Sequence, residues 1–282
     1  MWSNVHTHSH FCDGKGTLAD HVARAREQRM ISLGFSSHAP LPFPSKWCMK
    51  TENLSAYRDE IQSLKSTTPD LELYAGLEVD FIPGMVAPTD FSPLLDFTIG
   101  SIHFVESLPD GTHWEIDGPH AHFLEGYEKI FQKNIRDTLV RYYELTRQMI
   151  HEACPTVIGH LDKIKIQNVD GQFFSEQDPW YVDQLRQTLD LIKKSGAIVE
   201  VNTRGLYHKK LTDPYPSPWI LQMMAEKNIP VTINSDAHRP EDLTNHFPET
   251  AALLHRVGFK TISCLHEGRW KPFSFNAHGI TF

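Results

Sequence analysis

Short apolar segments alternate with longer amphipathic ones along the whole chain. The segments Ser3–His6, Ile31–Ser36, Leu71–Val79, Phe97–Ile102, Thr156–Gly159, Ala197–Val201 and Val231–Asn234 read as strands. A further run, Phe259–Cys264, either closes the set or packs outside it. Helical patterns lie between them. Leu18–Arg29 follows Thr17, with Asp20 three residues on as a capping-box signal. Leu54, Tyr57, Ile61 and Leu64 recur at helical spacing, and the segment from His122 to Glu152 reads as one long helix. Pro179–Lys194, Pro218–Glu226 and Pro248–Val257 each open with proline, which suits a first helical turn.

This alternation predicts an α/β fold with parallel strands and helical crossovers, either a barrel or an open doubly wound sheet. Neither G-x-G-x-x-G after the first strand nor G-x-x-x-x-G-K-[ST] occurs, so a nucleotide-cradling sheet loses support. No repeat, linker or compositional break divides the chain, which reads as one domain over residues 1–282. Ala39–Ser45, Val105–Pro119 and Asp162–Asp178 look like long strand-to-helix loops. In a barrel such loops rim the active-site face.

Composition narrows the class. With 40% hydrophobic and 22% charged residues the chain is a soluble globular protein. A net charge of -8 argues against a nucleic-acid partner, which needs a basic face. It does not exclude a small anionic substrate, because a bound metal supplies positive charge locally. Cys12, Cys48, Cys154 and Cys264 form no C-x-x-C pair and read as reduced thiols. Cys12 has no base arranged to activate it and reads as a bystander. No apolar run is long enough to span a membrane, and a polar start leads directly into His6 without a signal peptide. The expectation is a cytoplasmic protein without a membrane partner.

The 17 histidines are spread through the chain, and many fall at strand ends. His6 and His8 follow the first strand, His38 the second, Glu78 ends the third, His103 the fourth and His160 the fifth. Asp236 and His238 follow the seventh, and Asp13 is near enough in sequence to the first pair to join it. Residues i and i+2 of an extended chain face the same side, so each H-x-H or D-x-H pair converges. A barrel brings all these ends to one mouth. Imidazole and carboxylate there form a ligand set for zinc, manganese or iron, and a carboxylate can bridge two ions. Any one of these histidines alone reads more readily as a hydrogen-bonded structural residue. The joint pattern does not, because six of the seven expected strands end in a potential ligand.

The set His6-Thr7-His8, Asp13-Gly14, Ser37-His38, Gly76-Leu77-Glu78, Ser101-Ile102-His103, Gly159-His160-Leu161-Asp162 and Ser235-Asp236-Ala237-His238 resembles the polymerase and histidinol phosphatase (PHP) family. The resemblance implies a distorted (β/α)7 barrel with two or three divalent ions, Zn, Mn or Fe, at the C-terminal ends of its strands. Carried over by position, one ion takes His6, His8, Glu78 and Asp236. A second takes Glu78 as bridge with His103 and His160, and a third takes Asp13, His38 and His238. His38-Ala39-Pro40-Leu41-Pro42 running on to Trp47-Cys48-Met49, Gly76-Leu77-Glu78-Val79-Asp80 and Glu200-Val201-Asn202-Thr203-Arg204-Gly205-Leu206 look like the histidinol-phosphate phosphatase branch. That branch implies hydrolysis of L-histidinol phosphate to L-histidinol and phosphate by a hydroxide held between metals.

Several residues fit such chemistry. Arg204 follows the sixth strand, whose end offers no ligand, and a guanidinium there can grip a phosphate bidentately. Lys163, Lys165, His208, Lys209 and Lys210 are weaker candidates of the same kind. Asp236 and neighbouring histidines, His238 among them, are candidate proton carriers for the leaving alkoxide. Phe43, Trp47 and Tyr207 are candidates to wall an imidazole pocket, and Glu106, Glu115 or Asp117 to meet a substrate amine. The competing readings are a PHP-type phosphoesterase acting on nucleotides, nucleic-acid ends or phosphotyrosine, and an amide or lactone hydrolase on a related metal barrel. A metal-binding or regulatory protein without turnover is the reading furthest from these. Oligomeric state leaves no signal in the sequence.

Overall fold

A computed structural model describes all 282 residues. Its strands are β1 (Ser3–Asn4), β2 (Ser32–Phe35), β3 (Glu72–Asp80), β4 (Phe97–Ser101), β5 (Phe104–Ser107), β6 (His113–Glu115), β7 (Val157–Ile158), β8 (Ile198–Asn202), β9 (Val231–Asn234), β10 (Thr261–His266), β11 (Arg269–Asn276) and β12 (Gly279–Thr281). Its helices are α1 (Leu18–Glu27), α2 (Leu54–Thr67), α3 (His120–Lys129), α4 (Ile135–Ala153), α5 (Pro179–Ser195), α6 (Arg204–Tyr207), α7 (Pro218–Glu226) and α8 (Phe247–Arg256).

Seven strands form one parallel sheet in the order β1-β2-β3-β4-β7-β8-β9, curled into a nearly closed barrel with helices outside. The expected distorted (β/α)7 barrel is therefore correct. Its closure lies just beyond the strand ends. Thr7 pairs with Ala237, where the His8 amide donates to Ala237 O at 2.8 Å and the Ala237 amide to His6 O at 3.1 Å. Side chains stitch the first and last strands below that point: Asn234 Oδ1 accepts from the Val5 amide and Asn4 Nδ2 donates to Ser235 Oγ. The H-x-H and D-x-H motifs are thus also the clasp of the barrel.

Alternation along the strands sorts the interior into layers. On β4 and just beyond it, Phe97, Ile99, Ser101 and His103 share a face; on β8, Ile198, Glu200 and Asn202 do. The lower layer is apolar. Phe97, Ile99, Tyr74, Val157 and Ile198 cluster there with Leu265 of β10, which plugs the bottom. Gly76 leaves room for the Phe97 ring, since a Cβ there would come within 2.3 Å of it. Polar residues fill the layers above, and the ligands crown them. Outward faces such as Leu77 and Val79, or Val199 and Val201, pack under the helices.

Local signals set the helix ends. Thr17 and Asp20 form the expected capping box on α1, and proline opens α5 and α7. Two expectations need correction. The single helix over 122–152 is two, α3 and α4, because Gln132 and Lys133 take left-handed backbone and Asn134 recaps the chain by accepting from the Asp137 amide. The expected loop 105–119 holds the β5–β6 hairpin, pinned by Trp114, which is fully buried and donates to His122 O. Of the two alternatives for the run at 259–264, the second holds: it packs outside the barrel and starts an antiparallel sheet, β10-β11-β12. No helix is long and apolar enough to cross a membrane.

Candidate metal centre

The strand-end residues converge at the mouth. His6 Nε2 lies 3.1 Å from Glu78 Oε2 and 3.8 Å from Asp236 Oδ1; His8 Nε2 lies 3.4 and 3.3 Å from the same two atoms. Both nitrogens are fully buried and lack any hydrogen-bond partner. Two orphaned imidazole nitrogens facing two carboxylates in a dry site are costly unless a cation sits between them. The donor set therefore fits a metal.

Glu78 divides its two oxygens. Oε2 faces His6, His8 and His38 Nδ1 (3.1 Å), whereas Oε1 faces His160 Nε2 (2.9 Å) and His103 Nε2 (3.7 Å) and accepts from Ser101 Oγ. That is the geometry of a bridging carboxylate. Three compact groups of donors result: His6, His8 and Asp236; His38, Glu78 and His103; and His8, Asp13, His38 and His238. His8 and His38 are each shared between two groups, and the middle group holds His38 where the resemblance implies His160, which instead meets Glu78 Oε1. Asp236 reaches inward from left-handed backbone (φ 52°), and its carbonyl is held by Arg204 Nη1 at 2.8 Å and Tyr207 Oη at 3.0 Å.

A second layer aims the ligands. Glu200 Oε1 accepts from His6 Nδ1 at 2.6 Å and from Asn234 Nδ2, while Oε2 accepts from the His160 amide and Asn202 Nδ2. Asp80 Oδ1 accepts from both the amide and Nδ1 of His103. Sequence reasoning gave Glu200 and Asp80 no role, although strand alternation places Glu200 inward and Asp80 on the face of Glu78. Cys12, though its thiol is pushed up by burial and Asp13, also touches this layer, with Sγ 3.5 Å from His8 Nδ1.

Electrostatics follows from this packing. Burial alone would raise the Glu78 carboxyl, but His6, His38 and His160 outweigh it and hold it well below the usual carboxylate range. Burial likewise opposes ionisation of Asp236, and His6 and Arg204 overcome it. His103 would fall on burial but is lifted to about 10 by Asp80 and Asp117, whereas burial takes His38 down to about 4.

Above the ligands lies a cavity of about 190 Å³ lined by Asp13, His38, Trp47, Glu78, His103, Glu115, Asp117, Gly118, Lys163, Arg204, Asp236 and His238. Lys163 Nζ reaches toward Asp117 (3.5 Å) and Asp236 (3.9 Å), and Arg204 Nη1 lies 2.6 Å from His238 Nδ1. Trp47 presents its edge to His38. Other candidates lie apart. Tyr207 does not line this cavity; its hydroxyl is spent on the carbonyls of Ser235 and Asp236. His208 packs on Tyr207, outside the cavity lining. Phe43 stacks on His113 in a neighbouring cleft, Glu106 pairs with Arg141, and Lys165 is buried against Asp162, Ser217 and Pro214 O. Lys209 and Lys210 lie in a separate surface groove.

The PHP domain pattern matches residues 4–204. The chain belongs to the PHP domain family. Asp236 and His238 lie beyond the matched stretch, yet the fold returns them to the same cluster. A protein of Deinococcus radiodurans named "Probable histidinol-phosphatase" is 29% identical over 272 residues, spanning 93% of this chain and 95% of its own. The histidinol-phosphatase of Bacillus subtilis is 26% identical, over 84% of this chain and 94% of its own. The solved histidinol phosphate phosphatase of Lactococcus lactis, complexed with zinc, L-histidinol and phosphate, has a similar fold (TM-score 0.69, 19% identity, 100% of this chain and 99% of its own).

Proposed function

We propose that this PHP domain is a metal-dependent phosphomonoesterase that hydrolyses L-histidinol phosphate to L-histidinol and phosphate. One observation carries the reading: three donor groups linked through His8 and His38, with Glu78 between His6, His8 and His38 on one oxygen and His103 and His160 on the other, lie beneath a small cavity whose rim bears Arg204 and Lys163. The similarity to histidinol-phosphatases over nearly the full length of the chain supports the substrate.

His6, His8, Glu78 and Asp236 would hold one ion, Glu78 with His103 and His160 a second, and Asp13, His38 and His238 a third; zinc, manganese or iron suits these donors. Bound there, the ions supply an activated water and Lewis-acid stabilisation of the phosphoryl oxygens. The chain does the rest. Arg204 and Lys163 neutralise the phosphate and orient it over Glu78. Tyr207 keeps the Asp236 carbonyl, and with it Arg204, in place. His238 and Asp236, both on the cavity wall, are placed to move the proton that the leaving alkoxide needs. Burial of Glu200 and Asn202 beneath the ligands excludes water from below.

The test is elemental analysis of the purified protein together with phosphate release from L-histidinol phosphate, nucleoside monophosphates and phosphotyrosine. Bound metal with clear preference for L-histidinol phosphate is expected. Bound metal without that preference would discard the substrate and keep the site.

A further inference from the structure

L-Histidinol phosphate carries an ammonium and an imidazole besides its phosphate, and the wall opposite Arg204 offers a place for both. Four carboxylates of the cavity are already engaged. Asp13, Glu78 and Asp236 belong to the donor groups, and Asp117 faces Lys163. Glu115 is different: no cationic side chain lies within 4.0 Å of it, His122 and His103 acting only from further off and Trp47 being its side-chain hydrogen-bond neighbour.

Its orientation is built in. On β6 the fully buried Trp114 anchors the strand in the core, so His113 and Glu115 face the opposite way. Glu115 and Trp47 are the two residues shared by the metal cavity and an adjoining cleft of about 520 Å³, walled by Phe43, Phe104, His113 and His122. Glycine at 118 leaves one side of this side chain open, where a Cβ would stand 3.3 Å from Glu115 Cγ. Burial and the nearby Asp117 push the Glu115 carboxyl up against the weaker pull of His122 and His103, a penalty that an arriving cation would relieve.

The geometry points to Glu115 as the residue that selects a cationic leaving group, taking the ammonium of an amino-alcohol phosphate while the aromatic cleft receives the remainder. This rests on the phosphomonoesterase reading above. Trp47 then forms the partition between the two compartments, with its edge toward His38 and its face parallel to Phe104. An alcohol phosphate without the amine finds the same phosphate grip but leaves Glu115 unpaired.

Phosphate release is measured on two substrate pairs differing only in the amine: L-histidinol phosphate against its deamino analogue, and phosphoethanolamine against ethyl phosphate. The wild type is expected to favour the amine in each pair. In Glu115→Gln the ratio of kcat/KM, amine over deamino, is expected to fall about 10- to 100-fold, the loss of one charge-assisted contact. Glu115→Asp, which keeps the charge, should recover part of the ratio. A ratio near one in the wild type, or an unchanged ratio in Glu115→Gln even where both rates fall together, overturns the assignment. If L-histidinol phosphate is not hydrolysed while the phosphoethanolamine pair still loses its preference, the substrate name fails and the role of Glu115 stands.

Discussion

The floor and the outer wall of the cavity are built by opposite means. In the floor, His6, His8, Glu78 and His160 are almost wholly buried at strand ends, and buried partners orient several of them. In the wall, Phe43, Trp47 and Glu115 are half-buried and come from the loop after β2 and the β5–β6 hairpin. A floor of this kind tolerates almost no change, because moving one ligand strands the others as unpaired buried polar groups. A wall made of loop residues can be altered without disturbing it. On the proposed reading, chemistry belongs to the floor and choice of leaving group to the wall.

That contrast can be broken from the floor upward. Glu78→Ala removes the carboxylate common to both sides of the cluster. It should lower kcat/KM by about 10³-fold or more, roughly 4 kcal/mol of metal-borne stabilisation, and reduce bound metal in elemental analysis. Retention of full metal content would show that the floor is not a cooperative unit. Arg204→Ala lies on the border. Steady-state kinetics should show a loss of about 10²-fold in kcat/KM with metal content kept; loss of metal as well would move Arg204 into the floor through its bond to Asp236. For Glu200→Gln a chelator competition should report metal affinity about 10- to 100-fold weaker, and an unchanged affinity would mean that Glu200 serves packing alone.

The smallest effect expected is one of pH. In the metal-free floor, burial would lower His6, but Glu200 and Glu78 raise it well above the ordinary value, and Asp80 helps lift His103 to about 10. These imidazoles hold protons that an ion must displace, so metal affinity should fall as pH falls, by about tenfold per unit for each proton displaced. Chelator titrations between pH 8 and 6 check the slope. A flat response would mean that the ligands are already neutral before the metal arrives.

Much of the floor was legible in the chain. Strand alternation and the H-x-H, D-x-H and strand-terminal positions depend on local periodicity, which survives in one dimension, and so His6, His8, Glu78, His103, His160, Asp236 and His238 could be named from spacing. The helix boundary at Gln132–Asn134 was missed because two left-handed residues leave no apolar signature. The hairpin was missed because its strands are short and irregular, and with it the orientation of Glu115 by Trp114. Tyr207 and His208 stood near Arg204 in sequence, but the helical turn of α6 sends them elsewhere.

The chain by itself determined the alternation of strands and helices, the ligand types and the face each ligand would use, since these follow from backbone geometry and residue chemistry. Tertiary structure alone decided which oxygen of Glu78 serves which histidine, that Glu200 and Asp80 steer His6 and His103, and which carboxylate of the wall lacks a cation. Those facts are distances between residues far apart in sequence, up to 194 positions for His6 and Glu200. They exist only once the barrel has closed.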